Sequence, residues 1–506
     1  MDRFALHKHV TMFFLLACGL LCTADLQAQD HGDEVAPCAT PGEYPEWLAG
    51  FLANPNRPKA RNADEPIYLP ITFHTVGTDE GEGHYSSIKI FESLCRLNAD
   101  FAPYNIQFFL NGDINKINRS RYYEHESFSE GQKMMQSFKK SLTINTFVTR
   151  SAPSGACGYF HPSSDGIVVV KKCMGGSAHT LTHEVGHWLS LPHTFSGWEG
   201  REFDSTQPTP EFLQISGRDT TFVENVSGAN CNRAGDRFCD TSPDYLSEGW
   251  SCNREFESVA IQIDPDGIDF RSDGRNYMSY SSDACQSEFS PEQTEAMRGY
   301  IDFAKSFYKV DAPKYGPVSA DPVKQVYPLV NDQVGHENIR LEWDHHPNAT
   351  HYLVNVSRFS FFVDIDYEYI VESNHVTLDL PVDKKWYWRI KPYNQNDVCS
   401  EFSDFGGFTT YDITDVEEIQ ENNYLDVYPT IISASQPVVN IDFQFNEILP
   451  AQIELFSIAG SKITERTLPN PGIQIFRMPV QGITPGFYML RITTERGQLV
   501  KRLAVQ

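Results

Sequence analysis

The sequence has little positive charge for its length. Lysine and arginine together number 41 against 67 aspartate and glutamate residues, which gives a formal net charge of −26. A field of that sign repels phosphate backbones and anionic lipid heads, so we expect no nucleic acid partner. Disorder is also excluded, because 40% of the residues are hydrophobic and 13% are aromatic. That is the composition of a folded, strand-rich chain.

Long apolar runs are almost absent. The one stretch that could enter a bilayer, residues 10–22, is too short to span it. Because it follows a basic start and precedes Leu26-Gln27-Ala28, it predicts a secretory signal peptide over residues 1–28. An alternative is a lipoprotein signal with Cys18 lipidated. Either way we expect a secreted or cell-surface protein that passes through the periplasm and keeps no transmembrane segment.

Cysteine is scarce, and its distribution is uneven. Of eleven cysteines, nine remain after the predicted signal peptide is removed. Export permits disulfides, and an odd number leaves at least one thiol over. Six of the nine lie between Cys157 and Cys285. We therefore expect that region to be cross-linked, with Cys157–Cys173 as the first pair.

The chain of 506 residues is long enough for roughly three domains. Residues 29–64 are polar and rich in proline, which is typical of a pro-segment. Strand patterns then alternate with a helical period, and this predicts an α/β or α+β domain over residues 65–310. The expected strands are 67–74, 106–110, 144–148 and 166–170, and the expected helix starts at Ser87.

Residues 317–411 have short alternating runs separated by turn residues, as in a β-sandwich. Trp343, Tyr352 and the strand that contains Trp388 resemble the corresponding positions of a fibronectin type III module. The likeness covers about Val326 to Thr410. We therefore expect an all-β domain here.

An acidic linker precedes a last all-β unit over residues 424–506. Its opening at Leu425, its Ile453–Gly460 segment and its ending at Lys501–Val505 resemble the C-terminal sorting domain of type IX secretion cargo. Thr430-Ile431 stands where that family usually has Asn-Pro. The resemblance implies the type IX secretion machinery as a partner and removal of the domain on export. An ordinary accessory sandwich is the alternative.

The strongest chemical signal is a His-Glu-x-x-His pattern followed by a third histidine. His183 and His187 are four residues apart, so on a helix they share a face and can hold one zinc ion, with Glu184 beside it. His193 would be the third ligand after a turn, leaving one position for water. A chance pattern on a surface helix is the alternative, and the third histidine makes it improbable.

This pattern predicts hydrolysis of peptide bonds in protein or peptide substrates. Zinc would lower the pKa of its bound water and polarise the scissile carbonyl. Glu184 would take the proton from that water as general base and return it to the leaving amine.

A second motif, Asn276-Tyr277-Met278-Ser279-Tyr280, is similar to the methionine turn of metzincin proteases. Together with Cys231, Gly235-Asp236 and Asp240–Pro243, the motifs resemble the pappalysin family over about residues 68–308. The fold class implied is multidomain, with an α/β (α+β) metzincin catalytic domain followed by two all-β sandwich domains.

The pappalysin resemblance implies roles for further residues. Tyr280 would swing toward the substrate and stabilise the oxyanion, although it could instead be a packed core residue. Met278 would pack beneath the zinc without binding it. Ser190 replaces the usual glycine of the turn after the helix, where a left-handed backbone favours glycine.

The resemblance also implies a calcium site at Asp236 and Thr241, since loop oxygens suit calcium. A solvated acidic turn is the alternative. Nearby cysteines suggest Cys231–Cys252 and Cys239–Cys285 disulfides, although sequence does not fix connectivity.

Two residues bear on regulation and specificity. Cys38 lies in the pro-segment, and its thiolate could occupy the open zinc position in the latent form, as the family resemblance suggests. Pairing with Cys95 is the alternative. Asp283 follows the methionine turn, where metzincins form the wall of the pocket for the residue after the cut. A carboxylate there would favour Arg or Lys.

Two other classes of function were weighed against a protease. One is an inactive protease-like extracellular binding protein, and the other is a structural adhesin, which depends only on the fibronectin likeness. The three histidines and Glu184 are all present, which favours the enzyme.

Overall fold

The computed structural model describes residues 38–40, 44–54, 57, 65–216, 219–411, 423–433, 437–445, 448–495 and 497–505. The predicted signal peptide, Cys18, much of the predicted pro-segment and most of the acidic linker lie outside the described residues. The helices are α1 Glu46–Ala53, α2 Ser87–Phe101, α3 Ser120–Tyr123, α4 Phe128–Phe138, α5 Thr180–Trp188 and α6 Pro291–Ala304. No described helix has the length and hydropathy that a membrane crossing requires.

A six-stranded sheet organises the first unit. Its strands are β1 Ile67–Gly77, β2 Ile106–Leu110, β3 Asn115–Asn118, β4 Ile144–Thr149, β5 Gly158–His161 and β6 Gly166–Val170. The order is β2-β1-β4-β6-β5, with β3 also paired to β1, and only β5 is antiparallel to its neighbour. The four predicted strands and the helix at Ser87 are confirmed, and β5 forms the edge.

Helices cover the sheet because their apolar positions recur at helical spacing. In α2, residues Ile88, Phe91, Leu94 and Leu97 are buried, and with α5 and β1 they form one core. Four short strands follow in pairs, namely β7 Phe212–Ser216, β8 Asp219–Phe222, β9 Gln262–Ile263 and β10 Asp269–Phe270. They belong to the long segment between α5 and α6.

The second unit has two sheets around buried Trp343, Trp386 and Trp388. Its strands are β11 Gln325–Tyr327, β12 Asp332–Gly335, β13 Ile339–Trp343, β14 His351–Ser357, β15 Tyr367–Val371, β16 His375–Leu378, β17 Lys385–Tyr393 and β18 Gly406–Tyr411. One sheet has the order β11-β13-β16 and the other β12-β18-β17-β14-β15. The predicted all-β character of this region is confirmed.

The second unit shares a core with the first. Leu353, Tyr393 and Val398 belong to the same buried cluster as α2, and the Phe91 and Tyr393 rings lie 4.7 Å apart. A Cys95–Cys399 disulfide joins the two units. Apolar burial and a covalent bond therefore hold the second unit against the helix that packs on α5.

The last unit also has two sheets. Its strands are β19 Asn423–Tyr428, β20 Ile431–Ile432, β21 Val438–Phe445, β22 Ala451–Ser457, β23 Lys462–Leu468, β24 Ile473–Pro479, β25 Gly486–Thr494 and β26 Gly497–Val505. Strand β21 alternates between partly and fully buried positions, as expected for a strand with one face on a core. That core contains Ile441, Phe443, Ile453 and Leu490.

The disulfides correct two predicted pairs. Cys157–Cys173 is confirmed, but Cys231 pairs with Cys239 and Cys252 pairs with Cys285. The first of these forms because left-handed residues Gly235 and Arg237 turn the chain back and bring the two Cα atoms to 5.1 Å. Cys95 pairs with Cys399, so the alternative Cys38–Cys95 bond is wrong. Among the described residues, Cys38 alone is a free cysteine.

Candidate metal centre

The centre is built on α5 and the turn that ends it. The helix stops because Ser190 adopts a positive φ of 76°, while its N–H donates to the His187 carbonyl at 2.9 Å and the Leu191 N–H donates to Gly186 at 3.0 Å. This left-handed turn confirms the conformation predicted for Ser190. The chain then reverses, and His193 meets the helix face that carries His183 and His187.

The three imidazoles converge through their Nε2 atoms. His187 Nε2 lies 3.0 Å from His183 Nε2 and 3.1 Å from His193 Nε2. His183 Nδ1 is 2.7 Å from the Tyr277 carbonyl and His187 Nδ1 is 2.8 Å from the Leu191 carbonyl. Each of these Nδ1 atoms therefore carries the proton, which leaves the Nε2 lone pair directed at the centre.

Electrostatics favour neutral, metal-binding rings. Burial lowers the pKa of His183 to about 3 and that of His187 well below its ordinary value, and the neighbouring His193 adds to both effects. Neutral imidazoles with converging lone pairs repel each other unless a cation lies between them. The donor set therefore fits a zinc ion, which three histidine nitrogens commonly hold.

Glu184 lies beside the three nitrogens and is fully buried. Its Oε2 accepts a hydrogen bond from the Thr40 hydroxyl at 3.2 Å, and its Oε1 has no hydrogen-bond partner among the described residues. Burial raises the pKa of this carboxyl to about 8. Gly158 makes room for it, because a Cβ at that position would lie 2.8 Å from Oε1.

The turn that contains Met278 packs against α5. Met278 is buried, and a Cβ on Gly186 of α5 would collide with its sulfur. The Met278 carbonyl also accepts from the Thr194 N–H at 3.2 Å. Met278 thus packs against α5 and its carbonyl holds the segment that follows His193.

Tyr280 faces the centre from the end of the same turn. Its hydroxyl lies 3.3 Å from His193 Nε2 and donates to the Cys38 carbonyl at 2.6 Å. Burial raises the pKa of this phenol, so the hydroxyl keeps its proton and remains a donor.

Cys38 completes the cluster. Its sulfur and one nitrogen from each of His183, His187 and His193 all lie within 4.8 Å of one another. The Thr40 N–H donates to the sulfur at 3.3 Å. The segment that contains Cys38 also contacts the edge strand β5, where the Ala39 N–H donates to the Gly158 carbonyl at 3.0 Å.

Two carboxylates that support the centre belong to no motif recognised in the sequence. Asp100, at the end of α2, accepts from the Thr182 hydroxyl at 2.6 Å and is 2.7 Å from His179 Nδ1. It therefore fixes the start of α5, next to His183. Asp244 accepts from the Thr194 hydroxyl at 2.8 Å and so holds the segment after His193. Asp100 has no acidic neighbour in the sequence and Asp244 directly follows the Asp240–Pro243 motif, but neither position indicates a contact with the histidine segment, which the fold creates.

Two cavities flank the centre. The smaller, of about 50 Å³, is lined by Cys38, Glu184, Tyr280, Asp283 and neighbours. Asp283 Oδ1 accepts from the His179 N–H at 2.9 Å, and the side chain is part of the lining of this smaller cavity. The larger, of about 560 Å³, lies beside His187 and His193 and is bordered by Thr40, Tyr44 and Glu46.

A buried acidic cluster lies away from the histidines. Asp236 Oδ1 accepts from the Thr241 hydroxyl at 2.9 Å and from the Phe238 N–H at 3.0 Å. Asp236 Oδ2 and Glu224 Oε2 have no hydrogen-bond partner among the described residues. Burial raises the pKa of both carboxyls, and each is raised further by neighbouring carboxylates. Buried oxygens without partners fit a bound cation, and Glu224 is a member that the sequence did not indicate.

Comparisons with known proteins also indicate a metalloprotease and a secretion sorting domain. Residues 427–506 match the family described as the secretion system C-terminal sorting domain. An extracellular metalloprotease of Verticillium alfalfae is 27% identical over 270 residues, which are 50% of this chain and 84% of that protein. Similar proteins of the same description occur in Neurospora crassa, at 27% identity over 47% of this chain and 76% of that protein, and in Pyricularia oryzae, at 28% over 48% and 75%.

The similar solved structures do not support an assignment of fold or function. The FN1–FN3 domains of chicken CNTN1 align with 37% of this chain and 66% of that chain, at 13% identity and a TM-score of 0.14. So low a score carries no argument about the fold of the second unit.

Proposed function

We propose that the chain is a secreted zinc-dependent endopeptidase of the pappalysin type. The observation that carries the proposal is the convergence of His183, His187 and His193, with the fully buried Glu184 beside them. The similarity to extracellular metalloproteases supports the same reaction class. Three nitrogen ligands with a position left for water are typical of a catalytic zinc site.

The chemistry divides between the metal and the chain. Zinc held by the three histidines would supply Lewis-acid polarisation of water and of the peptide carbonyl. Glu184 takes a proton from the attacking water and passes it to the leaving amine. The Tyr280 hydroxyl, 3.3 Å from His193 Nε2, donates a hydrogen bond to the developing oxyanion.

The described form is latent, and residues 38–40 block its centre. The Cys38 sulfur takes the position that water needs, and the Thr40 hydroxyl occupies Glu184 Oε2. Binding along β5 through Ala39 places the pro-segment on the strand edge where an extended substrate would lie. Removal of this segment therefore frees the base, the edge strand and the open ligand position together.

Asp283 sets the preference for the residue after the cut. It lines the small pocket next to Glu184 and Tyr280, and a carboxylate there favours Arg or Lys. Profiling a peptide library tests this preference, and dominance of apolar residues at that position would contradict it.

The acidic cluster binds calcium as a structural ion. Asp236 and Thr241 supply side-chain oxygens, and Glu224 adds a carboxylate whose Oε2 has no partner in the described part of the chain. Calcium prefers such oxygen donors. The ion would neutralise the buried acids and hold the loop that the Cys231–Cys239 disulfide also fixes.

The last unit directs export. Residues 427–506 match a secretion sorting family, so we propose that the type IX secretion machinery recognises this unit. The protein would first enter the periplasm through the signal peptide and then cross the outer membrane.

Hydrolysis of a denatured protein substrate tests the activity. The parent chain freed of its pro-segment should cut the substrate, a zinc chelator should abolish cutting, and added zinc should restore it. The Glu184→Ala variant should not hydrolyse the substrate, although it should bind zinc with the same stoichiometry as the parent. A folded, zinc-loaded parent with no activity would contradict the proposal and favour the extracellular binding protein.

A further inference from the structure

The pro-segment has a second contact with the first unit, made by α1, which follows Cys38 in the chain. Helix α1 lies on α6, where the Trp47 ring meets Tyr300 at 4.9 Å in an edge-on arrangement. Trp47 also stacks on Phe51 at 4.9 Å. A Cβ on Gly299 would lie 3.0 Å from the Phe51 ring, so glycine at this position of α6 provides the space that the aromatic pair occupies.

Burial and charge extend this contact. Leu48 and Phe51 are buried in the main core, although they belong to a segment that is predicted to be removed. Arg57 lies 3.3 Å from Glu295 and 3.7 Å from Glu292, both on α6. The α6 groove, formed by Glu292, Glu295, Gly299, Tyr300 and Phe303, thus matches an amphipathic helix followed by a basic residue.

Tyr44 connects the two contacts. Its ring lies 3.9 Å from the Arg237 guanidinium, and its hydroxyl donates to the Asp236 carbonyl at 3.1 Å. Between the centre and α6, the segment therefore also binds the loop beside the acidic cluster. At the centre itself, the contacts of this segment are made by Cys38 and Thr40.

We propose that the α6 groove is a binding surface for the excised pro-segment, so that the cut piece stays bound and inhibits the enzyme until α1 leaves. The proposal rests on the proposed function, because it concerns control of the same centre. An eight-residue helix is not stable alone in water, so the piece loses its helical order when it leaves. The enzyme then becomes active in two steps. The chain is first cut, and the enzyme stays inhibited until α1 is released.

Co-elution of the cut pro-segment with the rest of the protein tests the α6 groove without requiring catalysis. A recognition site for a sequence-specific protease is inserted after Ala60 in the full chain, which also carries Glu184→Ala to prevent self-cutting. After cleavage, the short piece should elute with the body of the protein in gel filtration. The same result is expected with Cys38→Ala added, because the α6 contact remains.

Two variants of α1 test whether its aromatic side chains hold the cut piece on the α6 groove. The double variant Trp47→Ala with Phe51→Ala should release its cut piece. A synthetic peptide of residues 38–57 with these two changes should bind the protein that lacks its pro-segment on the order of a hundredfold more weakly than the unchanged peptide does. Gly50→Ala lies on the same helix with no described atom within 4 Å of its added Cβ, and because alanine favours the helix, its piece should stay bound at least as firmly as the parent's. Release of the parent piece, or retention of the double variant, would overturn the proposal.

The two proposals fail separately. Co-elution needs no hydrolysis, so a bound piece on an inactive enzyme would contradict only the proposed function. If the parent enzyme hydrolyses protein and the 38–57 peptide inhibits it no better than the double-variant peptide, the α6 surface is refuted and the proteolytic function stands.

Discussion

Glu368 of the second unit accepts a hydrogen bond from the backbone N–H of Ser87, the first residue of α2, at 2.8 Å. Its other carboxylate oxygen accepts from the Ser86 hydroxyl at 3.0 Å. A side chain from one unit therefore caps the helix of another, where the helix dipole also favours a negative charge. Because Asp100 at the far end of α2 holds α5, the second unit supports the helix that positions the metal-binding histidines.

Loss of this cap should destabilise the protein. We expect Glu368→Ala to lower the free energy of unfolding by about 1 kcal/mol, since a helix N-terminal donor loses its acceptor. Urea unfolding of the full chain, followed by circular dichroism, measures the change. Glu337→Ala, at an exposed position of the same unit, is the control and should have no effect. Equal midpoints for the two variants would contradict the capping role.

The backbone at Ser190 should be strained, and a glycine at this position should relieve that strain. Its φ of 76° lies in the left-handed region, which a residue with a Cβ occupies at a cost. Ser190→Gly should raise the free energy of unfolding by about 1 kcal/mol at most, because glycine also gains entropy in the unfolded chain. Ser190→Ala keeps the Cβ and should give no gain. A melting temperature that is lower for the glycine variant would show that the serine side chain makes a stabilising contact.

The acidic cluster should make stability depend on both pH and calcium. Burial raises the folded-state pKa of Asp236 and Glu224, whereas in the unfolded chain these carboxyls ionise near pH 4. Without a cation, the folded state therefore holds protons that the unfolded chain releases. Their stabilising effect is full below about pH 4 and is lost as pH rises toward the raised pKa values.

Thermal unfolding with a chelator or with calcium checks this dependence. In chelator, the melting temperature should fall between about pH 5 and pH 8, where these groups differ most between the two states. Calcium should reduce that fall, because it holds the carboxylates in their ionised form. Asp236→Asn should abolish the calcium effect, whereas Asp266→Asn, an exposed acid, should preserve it. An identical response of parent and Asp236→Asn would exclude this site.

Cys38 should keep the full chain latent. Its sulfur lies within 4.8 Å of the three candidate histidine ligands, so Cys38→Ala removes the group that blocks the centre. We expect earlier self-processing of this variant, followed by gel electrophoresis during expression. Addition of Glu184→Ala should restore the uncut chain. A Cys38→Ala protein as latent as the parent would count against the switch.

Much of the first unit follows from local pattern. The strands at Ile67, Ile106, Ile144 and Gly166 and the helix at Ser87 are found where the apolar periodicities place them, because period and side-chain direction are properties of a single element. The spacing of His183 and His187 likewise fixes their common face. The positive φ of Ser190 also agrees with expectation, since the position needs a left-handed residue.

Contacts between distant residues depended on the tertiary structure. The disulfide of Cys95 spans 304 residues, and Thr40 meets Glu184 across 144 residues. No local period encodes such contacts, because they form only when separate elements dock. The pairing of Cys231 and Cys239 shows the same limit, since a turn at Gly235 and Arg237 decides it.

The sequence by itself therefore determined which residues can bind a metal, because helical geometry puts His183 and His187 on one face and the turn at Ser190 reverses the chain toward His193. The tertiary structure alone decided what surrounds them. Asp100, Thr40 and the α6 groove reach their places through packing of distant elements. Burial, which lowers the pKa of His183 and His187 and raises that of Glu184, is a property of that packing and of no local pattern.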